Sequence, residues 1–324
     1  MKSLYGAVLL TVCALLSTGG PVQAQPQPYR VAVLTPGLTF RPALEGLREG
    51  LAQFGQHEGK ELAIIIEDTQ GELTNLTRKV VQLVEIKPDV IVAIGSAAAI
   101  AAKQGTTELP IVFTFVADPL RSGLIASYAS SQNNMTGISS YAGPLSGKRL
   151  EILKETVPGI KRVLVLVAAQ EHVSVSSFQS LTEVASKLGI ELLRHAVGSR
   201  QDIEQMLGSL HDNAVDAILH VPSSLVGTHI DLLIRKAKEE RIPLGVPEHS
   251  MVERGALMSY GSDMRLLGKQ TAHLVIKILQ GVRPAELRVQ TPGVLVLTVN
   301  LTTARVIGLD IPLDIIERAE RIVE

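Results

Sequence analysis

The stretch Asp89–Pro119, DVIVAIGSAAAIAAKQGTTELPIVFTFVADP, reads as strand, turn, helix, strand. Val90–Ile94 is a continuous apolar run without polar alternation, the pattern of a strand covered on both faces of a parallel sheet. Gly95 breaks the run, and Ser96 stands where a helix N-cap belongs, ahead of Ala97, Ala98, Ala99 and Ile100. A helix starting there points its free backbone N–H groups off the carboxyl end of the sheet, a geometry that favours anions. Ile111–Val116 is a second buried strand, and Ala117-Asp118-Pro119 closes it with a carboxylate on the rim where open α/β sheets collect ligands. Both polar residues also have structural readings, Ser96 as a helix cap and Asp118 as the turn residue capping a helix from Leu120, and these are compatible with ligand contact.

Working outward, the chain alternates short β runs with amphipathic helices. Val31–Leu34 leads through Thr35-Pro36-Gly37 into a helix with Leu44, Leu47, Leu51 and Phe54 on one face, ended by Gly55. Ala63–Ile66 is the next strand, and Leu73, Leu76, Val80, Leu83 and Val84 mark the helix after it. Beyond Val116 the spacing predicts a short helix near Arg121–Tyr128, the turn Asn133-Asn134 and a strand near Met135–Ser139. A second set of strands begins near Val163, Glu191, Val215 and Pro243, with amphipathic helices between them. Its starts repeat those of the first set at a nearly constant offset of roughly 130 residues, a positional echo that argues for two similar doubly wound lobes. The tail predicts a helix through Leu266, Leu267, Leu274 and Ile278, a β stretch Val294–Asn300 and a final helix Leu313–Val323.

With 324 residues and 46% apolar content, the chain has enough material for two cores. The formal net charge of −1 supplies no basic field for nucleic acid. At the N-terminus, Lys2, the apolar run Ala7–Leu16 and the site Val22-Gln23-Ala24 form a secretory signal, 1–24, cut after Ala24. That run is far short of the roughly 20 residues of a spanning helix. The only cysteine, Cys13, lies inside it, so the mature chain carries no thiol for disulfides, nucleophilic catalysis or thiolate metal ligation. Localisation is therefore expected to be periplasmic or otherwise extracytoplasmic.

Motifs of catalysis are missing. Gly143-Pro144-Leu145-Ser146-Gly147-Lys148 has three residues between its glycines where a P-loop has four, and Arg149 where the magnesium-binding hydroxyl belongs. None of the 8 histidines falls in an H-E-x-x-H arrangement, and there is no G-x-S-x-G elbow or Rossmann glycine triplet after the first strand. No enzyme activity, cofactor or metal is expected.

Several blocks carry a family resemblance: PIVFTFVADPLRSGLIAS from Pro110, NNMTGISS from Asn133, KRLEILKETVPGIKRVLVLV from Lys148, GALMSYGSD from Gly255, LLGKQTAHLVIKILQGVRPAELRVQTP from Leu266 and VNLTTARVIGLDIP from Val299. In this order they resemble the ABC-transporter substrate-binding proteins of the tryptophan/phenylalanine-binding type. The resemblance implies an α/β type I periplasmic-binding-protein fold, two doubly wound parallel-sheet lobes joined by a hinge, with a small ligand between them. Ser96 and Ala97 then match the loop that meets the ligand's carboxylate, and Phe115 and Asp118 match the VF-x-x-V-x-DP segment on the cleft rim. Where the family often carries an Asp-Asn pair after the eighth strand, this chain has Ser223-Ser224. Neutral hydroxyls do not replace a carboxylate, and Glu248 on the neighbouring strand end is the candidate for that charge. Thr35 and Tyr141 complete the candidate ligand-binding set.

The expected organisation is a signal peptide 1–24, a first lobe of 29–139 plus 263–287, and a second of 140–262 plus 288–324, with hinge strands near Thr136–Ser140, Ser259–Ser262 and Arg288–Pro292. The expected function is an exported solute-binding protein that captures an amino-acid-like or carboxylate ligand for an ABC permease and its ATPase. The alternative is an extracytoplasmic sensor signalling to a membrane receptor. No stable homo-oligomer is expected.

Overall fold

The computed structural model describes residues 27–324 apart from 71, 212 and 213; the expected signal segment 1–24 and the expected cut after Ala24 lie outside the described residues. The first half runs β1 (Tyr29–Thr35), α1 (Arg41–Gln53), β2 (Leu62–Asp68), α2 (Leu76–Glu85), β3 (Val90–Ile94), α3 (Ser96–Gly105), β4 (Ile111–Val116) and β5 (Met135–Ser139). Its strands form a parallel sheet in the order β2-β1-β3-β4-β5. Every residue of β3 is 0% exposed, as an uninterrupted apolar run covered on both faces requires.

The second half comprises α4 (Ala142–Thr156), β6 (Arg162–Ala168), α5 (His172–Leu188), β7 (Glu191–Val197), α6 (Arg200–Gly208), β8 (Ala217–Leu219), α7 (Ser224–Thr228), α8 (Ile230–Glu239), β9 (Leu244–Val246), α9 (His249–Glu253) and β10 (Met258–Ser262). After these come α10 (Met264–Leu279), β11 (Leu295–Asn300), α11 (Leu301–Ile307), α12 (Leu313–Arg318) and β12 (Arg321–Val323). Read from its outer edge, the second sheet is β7-β6-β8-β9-β10, the strand order of the first sheet, extended by antiparallel β11 and by β12. The echo extends to single side chains. Asp89, just before β3, accepts from the Arg30 backbone N–H at 2.6 Å. Asp216, just before β8, accepts from the Lys161 and Arg162 N–H groups at 2.7 Å each. Each carboxylate locks the start of a central strand to the one beside it.

Each sheet is covered on both faces by its own apolar clusters. α10 leaves the second sheet and returns to the first, where Leu267, Ala272 and Val275 pack in one core with Leu47 and Leu51. The approach of α10 to α1 is close because both carry glycine there. A Cβ at Gly46 would stand 1.9 Å from the Arg265 carbonyl oxygen, and one at Gly268 would stand 2.0 Å from that of Ala43. The chain crosses between halves after Ser139, after Ser262 and again near Gln290, whose backbone bonds to Gly137 and Ser139 of β5.

One expected helix is absent and another is shorter than expected. The segment after Asp118 forms successive turns rather than a helix, with Gly123 at φ 68° and hydrogen bonds such as Leu124 N–H to the Pro119 carbonyl. The last helix stops at Arg318, and Arg321–Val323 adds a strand to β11. Arg321 holds that strand by donating to the buried Asp263 carboxylate at 2.7 Å. Tertiary pairing here overrides the helical periodicity of the tail.

Candidate functional site

In an open sheet of order 2-1-3-4-5, ligands bind at the carboxyl ends of the strands where the order reverses. In the first sheet that switch point lies between β1 and β3, at Thr35 and Ser96. Thr35 is buried, and its hydroxyl turns back toward the Gly37 backbone at 3.4 and 3.5 Å.

Ser96 does not cap its helix. Gly95, at φ 87°, takes the N-cap position, and Ser96 is the first residue of α3. Its Oγ instead accepts from the Ala117 backbone N–H at 3.2 Å, tying the β3 end to the β4 end. No side chain caps α3, so the first-turn N–H groups of half-buried Ser96 and Ala97 have no side-chain acceptor.

Phe115 and Tyr141 share an unusual backbone. Phe115 is at φ 56° and Tyr141 at φ 54°, a left-handed conformation that costs a bulky side chain roughly 1–3 kcal/mol and persists where the surroundings over-determine it. At Phe115 the β4–β5 register shifts, a bulge that re-aims a side chain at the sheet rim. Its ring meets Phe40 edge-on, with centroids 6.0 Å apart and planes at 71°. Phe40 also limits Gly95, where a Cβ would stand 3.1 Å from the ring. Tyr141 opens α4 with its N–H on the Ser139 Oγ at 3.0 Å, and its side chain is exposed. Tyr128, absent from the sequence-derived set, lies beside it, with its hydroxyl pushed up by burial while a hydrogen bond with Ser139 draws it down.

Asp118 fills its turn role: Oδ1 accepts from the Arg121 N–H at 3.0 Å. Arg121 then reaches the other half of the molecule, its Nε donating to His172 Nε2 at 2.7 Å. This contact brings the carboxyl end of β4 against that of β6 and joins the two rims.

In the second sheet the switch point lies between β6 and β8. Ser223 caps α7 by accepting from the Val226 N–H at 3.1 Å. The remaining donors are taken: Glu171, next to His172, accepts from Ser224 N–H at 2.7 Å and Leu225 N–H at 2.8 Å. The helix end at Ser223-Ser224 is thus occupied by the protein's own carboxylate. Glu248 follows β9, half-buried, and burial raises its carboxyl above the usual range while Arg149 draws it down.

Beneath this rim lie two groups that sequence reading does not find. Arg149, in α4, is 1% exposed, and His220, directly after β8, is 1% exposed. Isolated Arg and His residues carry no spacing signal; only the fold brings them to one strand-end edge.

The architecture is that of the type I periplasmic binding proteins. The family model of ABC transporter substrate binding proteins matches residues 30–323, and the chain belongs to that family. A tyrosine-binding protein of Clostridioides difficile is 27% identical over 277 residues, 84% of this chain and 79% of that protein. A conserved domain protein from Vibrio cholerae superposes with a TM-score of 0.82 at 30% identity, covering 91% of this chain and 100% of that one. An ABC domain from Streptococcus pneumonia in complex with L-Trp has the same fold, with a TM-score of 0.82 at 22% identity over 91% of this chain and 100% of that one.

Proposed function

We propose that this chain is an exported solute receptor that holds a small amino-acid-like or carboxylate ligand between its lobes and delivers it to an ABC permease and its ATPase. The observation that carries the reading is the opposition of two switch points, the uncapped α3 end at Ser96 in one lobe and the polar β8–β9 edge in the other, across the Arg121–His172 contact. An anion at Ser96 gains the first-turn donors of α3 and the positive end of its dipole. Phe40, Phe115 and Tyr141 supply the apolar wall beside it. Tyrosine and tryptophan, bound by relatives, guide the choice of ligand class, and Glu248 is the acceptor for a ligand ammonium group. The lobes are 29–139 plus 263–287 and 140–262 plus 288–324, closing as rigid bodies about the crossings.

A thermal-shift screen of amino acids and small carboxylates, followed by calorimetry, tests the reading, because a ligand of the folded state raises the melting temperature. Ser96→Trp fills the α3 end and should lower affinity for the best ligand roughly a hundredfold or more. A ligand bound equally well by Ser96→Trp would place the site elsewhere.

A further inference from the structure

The second lobe buries polar groups that its own residues leave unfinished. The Arg149 guanidinium donates through Nε to the Tyr260 carbonyl at 3.0 Å and through Nη1 to Ser146 Oγ at 3.5 Å, the outer limit of a hydrogen bond. Among the described residues no hydrogen bond engages Nη2 and no carboxylate lies within 4.0 Å of the group. Both ring nitrogens of His220 are buried without a hydrogen-bond partner. Arg149 and Glu248 each act on the other's ionisation, yet form no ion pair within 4.0 Å.

Such a set is costly by itself. A buried cation without an adjacent counter-charge is destabilising, and a buried imidazole with two orphan nitrogens forfeits its desolvation energy. The groups are also placed where a ligand arrives. His220 follows β8, Glu248 follows β9 and Tyr260 is in β10, so the cluster occupies the carboxyl edge of the second sheet. On the α7 side the imidazole faces Gly227, where an added Cβ would meet His220 Nε2 at 4.0 Å and Met251 Cε at 3.7 Å, ordinary contact distances that leave a gap about one methyl wide. Glu248, half-exposed, stands at the border.

We propose that Arg149 and His220 form a second-lobe subsite for an anionic oxygen group, so that the ligand class is an acid with a second carboxylate distal to the one held at Ser96. The sign follows from the charges. Arg149 keeps its proton at neutral pH, being drawn down only to about 10 by burial. With His220 neutral, the cluster is therefore net positive or, with Glu248 ionised, net zero, and never net negative. A carboxylate satisfies the free edge of the guanidinium and the imidazole N–H together.

The inference rests on the cleft reading above, and the test separates the two. Calorimetry compares succinate with butyrate and L-glutamate with L-glutamine, pairs that differ at the second acid group. The wild-type protein should prefer the diacid of at least one pair by roughly tenfold to a hundredfold. Arg149→Met, which keeps length and removes charge, should bring that ratio toward one. Arg149→Lys, which keeps charge and loses the fork, should give an intermediate ratio and serves if the methionine variant does not fold. The ¹⁵N resonances of the His220 ring should shift on saturation with the preferred diacid. If wild-type protein binds the members of each pair equally, binds neither diacid, or keeps its preference in both variants, the subsite is refuted. Binding of butyrate or glutamine that Ser96→Trp abolishes would then leave the cleft reading standing. Absence of binding by any amino acid or carboxylate overturns both.

Discussion

The two lobes share a strand order but differ at the point where that order reverses. In the first lobe the switch point carries hydroxyls and aromatic rings but no charge: the α3 end has no side-chain cap, and Phe40, stacked edge-on with Phe115, stands over Gly95. In the second, the helix end is closed by Ser223 and Glu171, while charge and polarity sit deeper, on Arg149 and His220, with Glu248 at the border. A repeated topology therefore yields two chemically unlike strand-end edges. One lobe has backbone donors beside aromatic rings, and the other has buried side-chain groups whose hydrogen bonds are incomplete.

The deepest contrast is His220, and its titration should have the largest effect on stability. Burial, reinforced by the Arg149 charge, lowers its pKa from 6.5 to about 3. Above pH 6.5 the imidazole is neutral whether the chain is folded or not, and the shift contributes nothing. As pH falls below 6.5 the unfolded chain takes up a proton that the folded one refuses, so stability falls, by on the order of 3 kcal/mol between pH 7 and 4. Urea unfolding across that range should show the slope in wild-type protein and a much shallower one in His220→Leu. Equal slopes would mean that the second lobe does not bury an uncharged histidine.

Glu171→Ala makes the second lobe resemble the first by freeing the α7 end. Loss of two charge-assisted bonds to backbone N–H groups should cost about 1–2 kcal/mol in chemical denaturation. An unchanged midpoint would remove the distinction between an occupied and an open helix end.

The smallest effect belongs to the exposed cluster that joins α1 to α10. Hydrogen bonds from Arg265 and Lys269 hold the Glu49 carboxyl at about 2, below its ordinary 4.5. Its contribution is present above pH 4.5 and is lost as pH falls through 2. Glu49→Gln should therefore lower the melting temperature slightly at pH 7 and by a much smaller amount at pH 2. A loss of equal size at both values would assign the effect to packing rather than charge.

Much of the candidate site in the first lobe is legible as a linear pattern. Val90–Ile94, Gly95 and Ser96 are contiguous, so apolar periodicity and turn chemistry place a serine at a helix start without knowledge of the rest of the chain. The pattern misassigns the cap, because a left-handed glycine can take that position and release the hydroxyl to Ala117, 21 residues away. Phe115 and Asp118 stand out by their place at a strand end, whereas the left-handed backbone of Phe115 depends on the register shift against β5.

What the sequence by itself determined was the number and kind of the repeating units, since strand and helix periodicities are local and the two halves spell them in the same order. Only the tertiary structure decided the composition of the polar cluster in the second lobe. Arg149, Glu171, His220 and Glu248 come from separate units, and no spacing rule links them. Glu171, His220 and Glu248 converge because parallel strands bring every strand-to-helix loop to the same edge, and Arg149 joins them from within α4. Arg321–Val323 obeys the same physics, as a segment with helical spacing pairs with β11 because the sheet edge and the Asp263 carboxylate offer it partners that no isolated helix would have.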